Sequence, residues 1–152
     1  MADIERLRKN LEDRGIRSSY FATAQAAADY LDRQIDGTTV GIGGSMTVKA
    51  MGLYPRLSAR NRVVWHWEGG GLEDAAGTEV YLTSANGVAE TGELVNIDGT
   101  CNRIASSVYG HKRVYLVVGV NKIEPDYDRA LWRGGEGGEF IGPRAGGPPA
   151  TK

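Results

Sequence analysis

Cysteine is almost absent from this sequence: Cys101 is the only one in 152 residues. No intrachain disulfide can form, and a reducing compartment, the cytoplasm, is the expected location. Long apolar runs are missing too. None approaches the ~20 residues of a membrane-spanning helix. The opening stretch MADIERLRKNLEDRG is charged throughout and has no apolar secretion-signal core. Nor does one charge predominate. Eighteen Lys and Arg stand against nineteen Asp and Glu, a net charge of −1, so no global field draws the chain to nucleic acid or to an anionic membrane. Histidine is scarce: His66 and His111 lie far apart and have no Cys or carboxylate at ligand spacing, so no metal site is expected. Cys101 has no basic or His neighbour placed to lower its pKa, and is not read as a nucleophile.

What is present is an ordinary globular composition, 41% hydrophobic and 24% charged. Ile4, Leu7 and Leu11 recur at helical spacing and predict a helix over residues 3–14, stopped by Gly15. Residues 16–21 read as a short strand. Thr23 is the expected N-cap of a second helix whose stripe is Ala26, Ala27, Tyr30, Leu31 and Ile35. Strands are predicted over 38–42, 63–65, 79–83, 94–97 and 114–118, the last being the most apolar run and therefore a central strand. Helices are predicted over 46–54, bounded by Pro55, then over 102–109 and over 126–132; residues 69–73 read as a loop. Trp65 and Trp67 alternate around His66 and are read as core. The pattern implies an α/β fold of three layers, a largely parallel sheet with helices on both faces. The domain spans residues 1–133. Beyond it, seven of the 22 glycines and three of the five prolines fall in residues 134–152, a tail too poor in apolar surface to offset its ordering entropy and expected to be disordered.

Sheets of this kind bind ligands outside the carboxyl ends of their strands, and the residues that follow these strands are polar. Val40-Gly41-Ile42 runs into Gly43, Gly44, Ser45, Met46 and Thr47. The other strand ends lead to Asn86, to Asp98 and Thr100 with Asn102 and Arg103, and to Asn121 with Lys122. A strand, a glycine pair and a helix start let backbone N–H groups approach an anion, so Gly43, Gly44, Ser45 and Thr47 are read as an anion loop. The spacing is neither that of a P-loop nor Gly-x-Gly-x-x-Gly. Arg103 is the expected carboxylate clamp, with Asn86, Asp98, Thr100, Asn102 and Asn121 orienting the ligand. Glu90, beside the Thr91-Gly92 turn, is the acid/base candidate.

At these residues the chain resembles the short, single-domain members of the lactate-utilisation (LUD) family. The matching stretches are VGIGGSMTVKAMGLY, VVWHW, VYLTSANGVAETGELVNIDGTCNR and VYLVVGVNKI. The resemblance implies a fold related to ribose-5-phosphate isomerase and the CoA transferases, with Gly43 to Thr47 similar to the phosphate-binding loop of that isomerase. It associates the chain with systems that oxidise L-lactate to pyruvate, beside iron–sulfur redox partners. Cys101 stands where the family's Asp-Gly-Thr-x-Asn-Arg block usually continues through a glycine. The stretch between Trp67 and Glu79 is shorter than the family's usual helix. A Gly/Pro tail replaces the Cys-bearing C-terminal segment of many short relatives, which counts against a metal or cluster role. No cofactor motif is evident. Three readings stay open: a protein that acts on or senses a small carboxylate or phosphate, a CoA-transferase-like or sugar-phosphate-isomerase-like enzyme, and a non-catalytic partner subunit of a redox complex.

Overall fold

The computed structural model describes residues 1–137, and the tail expected over 134–152 lies outside the described residues from 138 onward. The chain begins with α1 (Ile4–Asp13), where the Asp3 carboxylate accepts a hydrogen bond from Arg6 N at 2.9 Å and Leu7 and Leu11 are buried. Residues 16–21, expected as a strand, pair with no strand; Ile16 and Tyr20 are exposed, and only Phe21 finds a partner, the Tyr30 ring at 5.1 Å. Ile16 is the only β-branched residue of this stretch, and it stays an irregular connection. In α2 (Ala24–Gln34) Thr23 caps Ala26 N as expected. The buried stripe is Ala28, Leu31 and Ile35, and Ala26 faces solvent. Three adjacent alanines left the phase of the helix undefined.

Next come β1 (Thr39–Ile42), α3 (Met46–Ala50), α4 (Leu53–Ser58) and β2 (Arg62–Trp65). The single helix expected over 46–54 is broken at Gly52, whose φ of 63° is left-handed. Pro55 is not a boundary. It sits in the first turn of α4, where a missing N–H costs nothing because that turn has no acceptor for it. Residues 69–73 are only partly loop, since α5 (Leu72–Ala76) starts inside them. Then follow β3 (Val80–Thr83), β4 (Gly87–Ala89), β5 (Leu94–Val95), α6 (Asn102–Val108), β6 (Arg113–Leu116), β7 (Ile123–Glu124) and α7 (Tyr127–Trp132). Arg133–Gly137 continue α7 as a π-helical turn.

The main sheet is wholly parallel, in the order β2-β1-β3-β6. One face carries the chief core: Val40, Ile42, Val80 and Leu82 of the strands pack on Ala28, Leu31 and Ile35, on Val48, and on Leu53 and Leu57. Side chains of alternate parity face α5 and α6. Gly41 lies so close to α5 that a Cβ there would fall 2.3 Å from Ala75 O, so only glycine lets that helix rest on the sheet. The arrangement is the α/β one expected, with helices on both faces of a parallel sheet.

Two expectations about the strands are corrected. Residues 114–118 do not form a central strand: β6 pairs only with β3 among the described residues and its side chains are half-buried or exposed. The apolar run reflects where its end goes, with Val117 packing on the main core and Val118 on a second one. The strand expected over 94–97 is not part of the main sheet. Leu94 and Val95 pair antiparallel with β4, which pairs in turn with β7, in a small sheet of order β5-β4-β7. Strands β4 and β7 were not expected, because two or three residues cannot display a period of two. Leu7 and Leu11 cover one face of this sheet at Val88, while Ala130 of α7 meets Ala89 and Val95 on the other.

One backbone position is strained. Cys101, which precedes α6, has φ 62°, and it is the only non-glycine at positive φ among the described residues. A side chain there costs roughly 1–2 kcal/mol. Cys101→Gly removes that cost and returns part of it as unfolded-chain entropy, so a net gain of about 1 kcal/mol is expected in urea unfolding. Cys101→Ala should gain nothing; equal gains from both would place the effect in the thiol and not in the backbone.

Candidate functional site

The order of the main sheet fixes where a ligand crevice belongs. From β1 the chain moves outward to β2, then crosses back to the other side of β1 to form β3. The direction of winding therefore reverses between β1 and β3, and the loops leaving their carboxyl ends separate there. The second sheet borders the same end, because β4 and β7 are continuations of β3 and β6.

The loop after β1 is held tightly. Gly43 N extends the ladder to Leu82 O at 3.0 Å. A Cβ at Gly43 would lie 2.7 Å from both Thr83 Oγ1 and the Tyr81 hydroxyl, and 3.0 Å from Arg103 Cγ, so this position admits only glycine. Ser45 is buried and its hydroxyl accepts from Val48 N at 3.1 Å; it caps α3. Thr47 turns its hydroxyl to Lys122, whose Nζ donates to Thr47 Oγ1 at 3.2 Å and to Ser84 Oγ at 3.1 Å. Lys122 ends the 3-10 turn Val120–Lys122 that follows β6.

Arg103 joins three loops. Its Nη1 donates to Gly44 O at 3.4 Å, and its Nη2 to Ile97 O at 2.7 Å and Asn86 Oδ1 at 3.3 Å. Asn86 Oδ1 also accepts from Ile97 N at 3.0 Å. The Asp98 carboxylate does not pair with this guanidinium. It caps α6 instead, accepting from Arg103 N at 2.7 Å and Ile104 N at 3.1 Å. Thr100 and Asn102 bond to each other at 2.6 Å in an exposed turn. Asn121 is exposed and folds back over Gly119. Glu90 stands apart from these loops: its carboxylate accepts from Asp3 N at 2.8 Å and from Arg6 Nη1 at 3.2 Å, fastening the start of α1. The structure thus brings together Gly43, Gly44, Thr47, Asn86, Asp98 and Arg103, and puts Glu90 to a different use.

The electrostatics of the crevice are one-sided. Lys122 is partly buried, and that burial, with Arg133 and Arg103 near it, holds its pKa below the ordinary lysine value. Among the described residues Lys122 and Arg103 form no ion pair, and Arg133 has only a loose one, to Glu124 at 3.8 Å. Beneath the loop, burial pushes the Tyr81 phenol up to about 12 against the opposing hydrogen bond from Ser106. Thr83 Oγ1 and Arg133 Nε are buried without a partner among the described residues. At the end of β2, the His66 ring lies against Gly44, within 3.5 Å of where a Cβ would be, and its burial lowers its pKa. A concavity of about 240 Å³ opens at the opposite, amino end of the sheet, lined by residues such as Thr39, Arg62, Glu73 and Thr78; the polar strand-end loops do not contribute to it.

Lys122, Ser84 and Arg133 were missed as site residues. Lys122 follows a strand as Asn121 does, and the signal to prefer it was that a cation beside a glycine-rich strand end needs a counter-charge. Arg133 carries no such signal, since it is brought to the crevice by the packing of α7.

A family model described as the LUD domain matches residues 4–139. No curated protein and no solved structure matches the chain.

If the Arg103 fork is the brace between these loops, Arg103→Lys strips acceptors that a single ammonium cannot reach together. The expected loss is about 2 kcal/mol of unfolding free energy, the range for hydrogen bonds to a charged group. A loss near zero in urea unfolding would mean that the loops hold their places without it. Gly43→Ala should cost about 1–3 kcal/mol by overpacking against Tyr81 and Thr83, measured in the same way.

Proposed function

The chain belongs to the LUD domain family, and on that premise we propose that it acts on or senses a small carboxylate or phosphate bound in the strand-end crevice, as a component of lactate utilisation. The observation that carries this reading is the charge arrangement around Lys122. The charges of Arg103 and Arg133 both act on Lys122 beside the point where the main sheet changes winding direction, while Asp98 is spent on capping α6 and Glu124 makes only a loose pair with Arg133 at 3.8 Å. Partly buried cations held close together repel one another, and an anion relieves that repulsion. The Thr47 and Ser84 hydroxyls beside Lys122 add neutral donors suited to carboxylate or phosphate oxygens. Arg103 uses three N–H groups on the protein itself, which leaves donors of its guanidinium for a ligand.

Among the described residues no helix is long and apolar enough to cross a membrane. The proposal places the chain in the cytoplasm, beside the iron–sulfur proteins that would carry electrons from lactate. In this role the crevice supplies recognition and the partner supplies the redox centre.

Calorimetric titration with L-lactate, pyruvate and inorganic phosphate tests the binding. At least one is expected to bind, more weakly as salt rises. Lys122→Gln should weaken that binding by about 1.5–3 kcal/mol, the worth of a hydrogen bond to a charged group, with the fold intact by circular dichroism. Absence of binding by all three, or unchanged affinity in a folded Lys122→Gln variant, would remove the crevice from consideration as an anion site.

A further inference from the structure

We propose that Lys122 is a nucleophilic amine that forms an imine with the carbonyl carbon of a 2-oxo carboxylate held in this crevice. The inference rests on the anion reading above and adds a reaction to it. Three features of the surroundings of Nζ lead there.

First, the two groups that Nζ touches are both hydroxyls, Thr47 Oγ1 at 3.2 Å and Ser84 Oγ at 3.1 Å. A hydroxyl accepts from an ammonium and donates to a free amine equally well. A carboxylate in either place would have fixed the charged form. Second, burial and the charges of Arg133 and Arg103 all favour the neutral amine. A desolvated lysine next to other cations is a recognised way of activating an amine toward carbonyl compounds. Third, the same two cations that favour the neutral amine are placed to hold a substrate carboxylate. Arg133 Nε is buried without a partner among the described residues. The turn after it packs on the second sheet, where a Cβ at Gly134 would stand 2.8 Å from Val95 Cγ1 and 3.6 Å from Asn86 Cβ. A carboxylate drawn to the charges that act on Lys122 would bring its adjoining carbonyl carbon near Nζ.

The chemistry balances without an oxidant. The Nζ lone pair attacks the carbonyl carbon, a C–N bond forms, and the carbonyl π electrons pass to oxygen, which is protonated. The nitrogen of the resulting carbinolamine loses its remaining proton, the hydroxyl oxygen takes up a second one, the C–O bond breaks, and water leaves as the C=N bond forms. Ser84 and Thr47, each within hydrogen-bond distance of Nζ, relay the protons between nitrogen and the departing oxygen. The imine draws electrons from the neighbouring carbon, so the substrate class is a 2-oxo acid whose bonds next to the carbonyl are to be activated or exchanged. Glycine at position 43 is consistent with this, since any side chain there would press on Thr83 and Arg103 and narrow the floor of the crevice.

Reductive trapping tests the proposal. The full chain is incubated with pyruvate and sodium cyanoborohydride, and intact mass and peptide maps are recorded. The expected product is one reduced pyruvate adduct on the peptide that contains Lys122, with a yield that saturates as pyruvate rises and exceeds that at Lys9, Lys49 and Lys112 several-fold. Lys122→Arg removes the amine and should give no such adduct, while the slow background reaction at Lys9, Lys49 and Lys112 stays at its wild-type level. Should that variant fail to fold, the wild-type peptide map decides alone. An adduct spread evenly over the lysines, or none at all, overturns the imine. If pyruvate nonetheless binds by titration, the imine falls and the anion reading stands; if no anion binds, the two fall together.

Discussion

The Arg103 guanidinium touches the backbone of the loop after β1 at Gly44, the backbone of the turn after β5 at Ile97, and the amide of Asn86 between β3 and β4. No other described side chain links so many of the polar loops. The parallel sheet and the small second sheet share consecutive stretches of chain but have separate apolar clusters, so polar ties of this kind add to the chain connections in setting their relative placement at the crevice. The tie is placed in turn by Asp98, whose carboxylate starts α6 and so fixes the direction in which Arg103 leaves the helix. Cys101 holds the left-handed turn that makes this start possible. A single charged fork thereby couples helix geometry to the shape of the crevice.

Neutral acceptors, and no acid, satisfy that fork. The consequence reaches beyond Arg103. A guanidinium bound to carbonyl oxygens keeps its full charge, and that charge acts on Lys122 along with the charge of Arg133. The protein has nearly balanced charge overall, yet its acids are used elsewhere. Glu90 fastens α1, Glu93 pairs with Arg14, and Glu79 pairs with Lys112 at the amino end of the main sheet. These paired acids lie at the periphery, while among the described residues Lys122 and Arg103 form no ion pair and Arg133 forms only the loose one to Glu124. The anion proposed to bind there would meet this excess of positive charge.

The elements with strong local chemistry were readable from the chain. Thr23 caps the helix it was expected to cap, the helix expected over 3–14 runs over Ile4–Asp13 with Asp3 as its cap, and β1, β2 and β3 lie within a residue of where strands were predicted. So was most of the polar edge, because residues that follow parallel strands must share one end of the sheet. What failed had weak or ambiguous local signals. The expected strand at 16–21 had the composition but no edge to join. Residues 114–118 were apolar for two reasons at once, and alternation cannot separate a central strand from an edge strand that ends in a second core.

The role of a particular carboxylate or cation was a different kind of question. Glu90 lies two residues before a glycine and Asp98 directly before one, and both read as chemistry; one anchors α1 and the other caps α6. The local pattern of amino acids determined the α/β class, the parallel strands and the end of the sheet at which polar residues collect, because periodicity and capping act over a few residues. Only the tertiary structure decided which charges meet. Arg133 comes to the crevice on a helix thirty positions beyond Arg103, and Lys122 by a turn between two sheets. Coulomb forces and burial depend on distances in space, and no short-range rule in the sequence encodes those distances.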